Sequence, residues 1–199
     1  MHDSARPVIL PRDVIAALAA DARISGVELA GSRARGQAAP LSDWDFAVTA
    51  PRFEDVREAL PETVRPLRPV VAQWDRLSPT WCYMLILAGP AKVDLLFGHP
   101  HQPAAPWQVT ASTLAGIDDH FWDWALWLRS KLARREDLVA AELRKLHQQL
   151  LGPMGAARAP ASLGEAVAAY RSARGRWERR LGTRVSRNAE NTVIPVLYP

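Results

Sequence analysis

The residue order predicts an N-terminal α/β unit followed by a C-terminal helical unit, and three observations carry this. Up to residue 97, short segments rich in β-branched, aromatic and aliphatic residues alternate with helical stretches and are cut by Gly and Pro. A Pro-rich run, HPHQPAAP at 99–106, then interrupts the pattern. Beyond it, apolar residues recur at spacings of three and four. The expected division is therefore an α/β domain over 1–100 and a helical domain over 107–199.

Taken in order, residues 11–23 read as a helix, with Val14, Leu18 and Ala22 four apart and Pro11 at the start. Residues 26–30 alternate into a strand that stops at Gly31-Ser32. Residues 33–42 read as a turn or short helix, and 43–49 as a second strand ended by Pro51. Residues 53–60 read as a helix closed by Pro61 or shortly after. The segments 70–77, 80–89 and 92–97 read as strands. Gly89-Pro90 between the last two predicts an antiparallel pair. Residues 118–151 read as one long helix or two abutting ones, with Phe121, Trp124, Leu128 and Leu132 marking a stripe. Ser162 and Glu165 have capping-box spacing, so a helix is expected over 162–181. No period is visible over 183–199, and the tail 188–199 reads as an arm on a neighbour or a disordered end.

Composition bounds the function. At 199 residues with 48% hydrophobic and 23% charged side chains, the chain can bury a core. A single cysteine, Cys82, excludes an intrachain disulfide and a multi-cysteine zinc site. The longest nearly apolar stretch, 81–91, falls short of the roughly 20 residues of a membrane span. No signal-peptide core is visible near the N-terminus, so a soluble, cytoplasmic protein is expected. Residues 1–100 carry net charge −1 and residues 101–199 carry +5. Arg171, Arg174, Arg176, Arg179, Arg180, Arg184 and Arg187 supply most of that surplus. With only Tyr170 and Trp177 among them, they read as a solvated helix face rather than a single-strand nucleic-acid surface.

The chemistry concentrates in GSRARG at 31–36 and SDWDF at 42–46. Asp43 and Asp45 lie two apart in a strand, so both carboxylates project from one face. Like charges so close repel unless a cation lies between them. Paired oxygen ligands suit Mg²⁺ or Mn²⁺, with phosphate oxygens completing the shell. Gly31 lets the backbone turn and approach a ligand, and Ser32 offers a hydroxyl and an N–H. If residues 33–38 open a helix, its first N–H groups would also face an anion. Arg33 and Arg35 have two readings, as a grip on phosphates or as flanks of the turn. Asp94 sits in the apolar strand KVDLLF (92–97). If that strand lies beside the Asp43/Asp45 strand, Asp94 completes a three-carboxylate site, as metal ligand, general base or both.

Gly-Ser after a strand, then Asp-x-Asp on a strand, then a single Asp on a later strand resembles the nucleotidyltransferase superfamily typified by DNA polymerase β. The run is most similar to small antibiotic adenylyltransferases, which act on aminoglycosides or lincosamides, and to minimal nucleotidyltransferases of toxin–antitoxin pairs. The resemblance covers about residues 27–97. It implies an α+β fold, a small mixed β-sheet backed by helices and followed by a helical domain. It implies that Asp43 and Asp45 bind two divalent metals, that Asp94 is the third acid, and that Gly31 and Ser32, with Arg33, hold the nucleotide phosphates. The implied reaction moves a nucleoside monophosphate, AMP from ATP or the equivalent from another NTP, to a hydroxyl of a small aminoglycoside-like acceptor. The helical half is expected to choose that acceptor; Asp118, Asp119 and Asp123 read first as acids that favour the start of their helix and its dipole, and second as acids for a cationic acceptor. The alternatives are adenylylation of a partner protein, as in toxin–antitoxin pairs, and a non-catalytic nucleotide-binding protein on the same fold. No nucleic-acid or membrane partner is expected. His99 and His101 have no further ligand in view, and Trp122, Trp124 and Trp127 fit a core stripe better than a stacking surface.

Overall fold

A computed structural model of the chain describes residues 10–104, 106–132 and 135–198. Two compact units divide it, Met1–Gln102 and Pro103–Pro199.

The first unit opens with α1 (Arg12–Ala19), whose buried Val14 and Leu18 lie one turn apart. β1 (Gly26–Leu29) leads to a single helical turn, α2 (Gly31–Ala34), and then to β2 (Trp44–Thr49). α3 (Phe53–Val64) follows, then a 3₁₀ turn at Arg65–Leu67. Pro61 does not close α3: Phe53, Val56, Leu60 and Val64 all bury on one stripe, which carries the helix past the proline. α3 ends at Val64, and the 3₁₀ turn that follows is closed by Arg68, which adopts a left-handed conformation with φ +50°. β3 (Val71–Trp74), β4 (Thr80–Leu87) and β5 (Ala91–Pro100) complete the sheet. β4 and β5 pair antiparallel across the Gly89 turn, where φ is +87°. β5 runs to Pro100, so His99 belongs to a strand and not to a linker.

The strand order is β1-β2-β5-β4-β3, antiparallel except for the parallel pair β2–β5. This is the mixed sheet backed by helices that the resemblance implies. One face is apolar: Phe46 and Val48 of β2 and Val93, Leu95 and Phe97 of β5 share a buried core with residues of α1 and α3. Alternation then places Asp45 of β2 and Lys92 and Asp94 of β5 on the opposite face.

The second unit is helical. α4 (Leu114–Lys131) and α5 (Glu136–Leu146) occupy the region read as one helix or two, and a π turn extends α5 over His147–Leu151. α6 (Leu163–Leu181) starts at the expected cap, where Ser162 Oγ accepts from the Glu165 N–H at 3.1 Å. The Glu165 carboxylate reaches one residue further back than a capping box requires, to the Ala161 N–H at 3.1 Å. The tail is neither an arm nor disordered: α7 (Asn188–Leu197) buries Ala189, Val193 and Leu197, four residues apart, and packs on α4. Leu132 is 39% exposed, so the α4 stripe stops at Leu128.

Three helices share a buried ionic core. Asp118 Oδ1 on α4 accepts from Arg174 Nη1 at 2.8 Å, from Trp122 Nε1 at 3.3 Å and from the Tyr170 hydroxyl. Arg174 also donates to Glu190 on α7, which accepts from Arg171 Nε at 2.6 Å. Phe121 stacks on Tyr170 with centroids 3.9 Å apart, and Trp122 and Trp124 are buried beside them. Trp122 and Trp124 are core, whereas Trp127 is only partly buried and lies under the Lys131 ammonium.

No helix among the described residues is long and apolar enough to cross a membrane.

Candidate active site

The site is built where β1 ends and β2 begins. Ala30 N donates to the Asp45 carbonyl at 2.7 Å and so ties the exit of β1 to β2. The chain then turns at Gly31, where φ is +63°. A Cβ at Gly31 would stand 1.7 Å from Asp45 Oδ2. Only glycine fits, for two independent reasons: the left-handed φ, and the carboxylate lying against its backbone. Ser32 follows directly, and its carbonyl accepts from the Gln37 N–H at 2.9 Å. The turn or short helix read after β1 is α2, a single turn at 31–34, so the condition of a helix opening over 33–38 is not met.

Arg33 closes the loop between α2 and β2. Its Nη2 donates to the Ser42 carbonyl at 2.7 Å, and its Nε donates to the Asp43 carbonyl at 3.1 Å. The guanidinium lies 3.8 Å over the Trp44 ring. Burial lowers its pKa while the charges of Asp43 and Asp45 pull the other way; an arginine remains charged under that balance. Arg33 thus holds the loop that presents Asp43. Arg35 is exposed and donates to Gln37 Oε1 at 3.3 Å.

Asp43 precedes β2 and is 8% exposed. Asp45 is partly buried on the same side of the strand. Asp94, 49 positions later in sequence, pairs with Asp45 in the parallel β2–β5 register. Residues in register on parallel neighbours point to the same face, with strands about 4.8 Å apart. The register therefore brings Asp94 beside Asp45.

Lys92 is the functional candidate that sequence reasoning passed over. It is 6% exposed, and its Nζ donates to Asp94 Oδ1 at 2.6 Å. The signal was available: a lysine in an apolar strand, two residues before Asp94, must share its face.

Among the described residues no three His, Cys, Asp or Glu side chains are gathered closely enough to hold a metal. Asp43 and Asp45 nonetheless fit a divalent cation. They are hard oxygen donors two residues apart, and Asp45 Oδ2 is seated against the Gly31 backbone, where a Cβ would stand 1.7 Å from it. A cation held by two carboxylates keeps coordination positions for water and phosphate oxygens.

The other candidates lie elsewhere. His99 stacks on Phe53 at 4.7 Å between centroids and His101 on Trp81 at 4.2 Å. Asp118 is 2% exposed and is bound to Arg174 and Tyr170, so it has no capacity for a cationic acceptor. Asp119 is less buried; burial, reinforced by the neighbouring Asp118 charge, raises its pKa to about 7. Asp123 is buried at 4% exposure. Of the basic series, Arg171, Arg174 and Arg187 serve ion pairs with Glu190, Asp118 and Glu178.

No protein-family model matches the chain, and no curated protein is similar to it in sequence. Among solved structures, the chain is similar to an aminoglycoside 6-adenyltransferase from Bacillus subtilis. The identity is 16% and the TM-score 0.37, over 93% of this chain and 95% of that one. A likeness at that level is too weak to assign a fold or an activity.

Proposed function

We propose that the protein is a nucleotidyltransferase that moves a nucleoside monophosphate from an NTP, with ATP the first candidate, to a hydroxyl. The observation that carries this is the β2–β5 register, which sets Asp94 beside Asp45 on the face that also bears Asp43. The close seat of Asp45 against Gly31 supports it.

In this reading Asp43 and Asp45 hold Mg²⁺ or Mn²⁺. The bound ion neutralises the triphosphate and stabilises charge on the departing pyrophosphate. Gly31 and Ser32 bring backbone N–H groups to the phosphates. Arg33 acts through the loop, by fixing Ser42 and Asp43, rather than as a phosphate grip. Asp94 orients the acceptor hydroxyl and takes its proton as the oxygen attacks the α-phosphorus. The bond from that phosphorus to its bridging oxygen breaks, and pyrophosphate leaves. The proposed acceptor is a small hydroxylated molecule of the aminoglycoside kind; this part rests on the sequence resemblance.

The test is pyrophosphate release from each NTP with Mg²⁺ across a panel of hydroxylated acceptors. Acceptor-dependent release by the wild type that falls at least about 100-fold in Asp45→Asn supports the reading. Release that persists in Asp45→Asn contradicts it.

A further inference from the structure

The far end of β5 carries two histidines that the carboxylate face does not use. The register of β5 against β4 slips between Cys82↔Leu96 and Thr80↔Pro100, and Gly98 takes φ +68° inside the slip. A bulge of this kind re-aims the side chains around it. Beyond Gly98 the backbone is pinned: Pro100 pairs with Thr80, and the His101 N–H donates to the Pro79 carbonyl at 2.8 Å. Pro100 fixes its own φ and holds His99 in an extended conformation.

Both imidazoles lie on one aromatic platform. Phe53 of α3 and Trp81 of β4 pack with ring centroids 5.5 Å apart. His99 stacks on Phe53 with the ring planes 25° apart, and His101 lies on Trp81 at 4.2 Å between centroids. The two rings therefore share one side of the strand. His101 Nδ1 is 2.8 Å from the Ser78 carbonyl oxygen. A carbonyl only accepts, so Nδ1 carries the proton, and Nε2 of the neutral ring keeps its lone pair. A backbone carbonyl on one ring nitrogen is what orients the other nitrogen of a metal-binding histidine. His99 is exposed, so its imidazole is open to an ion from solvent. The Arg57 guanidinium lies 5.3 Å over Trp81, and its charge is matched by Glu54 at 2.7 Å.

We propose that His99 and His101 form a binding site for a late first-row divalent cation such as Zn²⁺, Cu²⁺ or Ni²⁺, with water in the remaining positions. Imidazole nitrogens suit these ions, whereas Mg²⁺ requires oxygen donors. The site thus differs in metal class from the Asp43/Asp45 pair and stands whether or not that pair binds a nucleotide. Residues two apart on a strand have Cα atoms about 6.6 Å apart, a span that two imidazoles on one face bridge through a single ion. The pinned His-Pro-His backbone and the ring stacks reduce the ordering that binding costs. No third His, Cys, Asp or Glu among the described residues closes the site, which leaves it open to solvent.

The test is calorimetric titration of the full chain with Zn²⁺ in excess Mg²⁺, the Mg²⁺ competing at oxygen-donor sites. Wild type should bind one equivalent of Zn²⁺. Two substitutions remove the ligand nitrogens and keep the packing. His99→Phe preserves a ring on Phe53, and His101→Asn keeps an N–H that can donate to the Ser78 carbonyl. Each should weaken Zn²⁺ binding at least about tenfold. Zn²⁺ should raise the Tm of wild type and leave that of His99→Phe/His101→Asn unchanged. Asp43→Asn/Asp45→Asn should bind Zn²⁺ as wild type does.

The proposal is overturned if wild type takes up no Zn²⁺ under these conditions. It is also overturned if His99→Phe/His101→Asn binds Zn²⁺ as tightly as wild type, because the ion then sits elsewhere. Should the histidine variants not fold, nuclear magnetic resonance on wild type decides. Zn²⁺ should shift the ring signals of both His99 and His101, and shifts confined to other histidines contradict the site.

Discussion

At Gly31 the backbone takes φ +63° and lies against Asp45 Oδ2. Gly31→Ala is therefore expected to cost about 1–3 kcal/mol in stability from the left-handed conformation alone, and to displace the Asp45 carboxylate. Gly36 supplies the control. It shares a positive φ, +67°, but nothing lies within 4 Å of its would-be Cβ. Gly36→Ala should destabilise without touching the site. Thermal unfolding with Mg²⁺–NTP titration separates the two: binding lost in Gly31→Ala and kept in Gly36→Ala. Equal binding by both would contradict the role given to the close seat of Asp45 on Gly31. A second expectation concerns Asp119, whose pKa is raised to about 7 from an ordinary 3.8 by burial and the neighbouring Asp118. The folded state then binds more protons than the unfolded state, so stability falls as pH rises from about 4 to about 7. Asp119→Asn should raise the Tm at pH 8 and leave it nearly unchanged near pH 3. A Tm difference independent of pH contradicts that assignment. At this scale the acids and Gly31-Ser32 were legible, because Asp-x-Asp on a strand and Gly at a strand exit carry local chemistry. Arg33 as a loop clamp was not, since its partners are backbone carbonyls and a sequence does not show which carbonyls a loop turns inward.

Elements with a clear apolar period were read correctly, α3 ends shortly after Pro61, and α7, with an interrupted period, was not read. α3 continues through Pro61 because Leu60 and Val64 are fully buried, and tertiary burial offsets the lost backbone hydrogen bond. α7 was missed for a similar reason. Its first turn is polar, Pro195 interrupts its second half, and its partner Arg174 lies on a different helix. The Asp118–Arg174–Glu190 core that ties α4, α6 and α7 gives the second unit its specific expectation. Arg174→Met leaves the buried Asp118 carboxylate without its cation, and Glu190 with Arg171, and should cost about 3–5 kcal/mol. Ser162→Ala removes one helix cap and should cost about 1 kcal/mol. Chemical denaturation of both variants checks the ranking. A smaller loss in Arg174→Met than in Ser162→Ala would mean that the ionic core is not what holds these helices.

For the whole molecule, the decisive fact is a pairing between strands distant in sequence. The β4–β5 hairpin was legible at Gly89-Pro90 because a tight turn is a local signal. The parallel β2–β5 pair has no such signal: α3, β3 and β4 intervene between its strands. A parallel pair requires a long crossover, and nothing in either strand names its partner. Asp94 could be recognised as an acid in an apolar strand; its place beside Asp45 was a condition drawn from the resemblance, and the β2–β5 register meets it. That juxtaposition makes a carboxylate face out of two motifs. The most direct test is calorimetric titration of each NTP with Mg²⁺ into wild type and into Asp43→Asn/Asp45→Asn. Wild type should bind at least one NTP in a metal-dependent way, and the variant should lose that binding. Failure of every NTP to bind, or equal binding by wild type and variant, would contradict it.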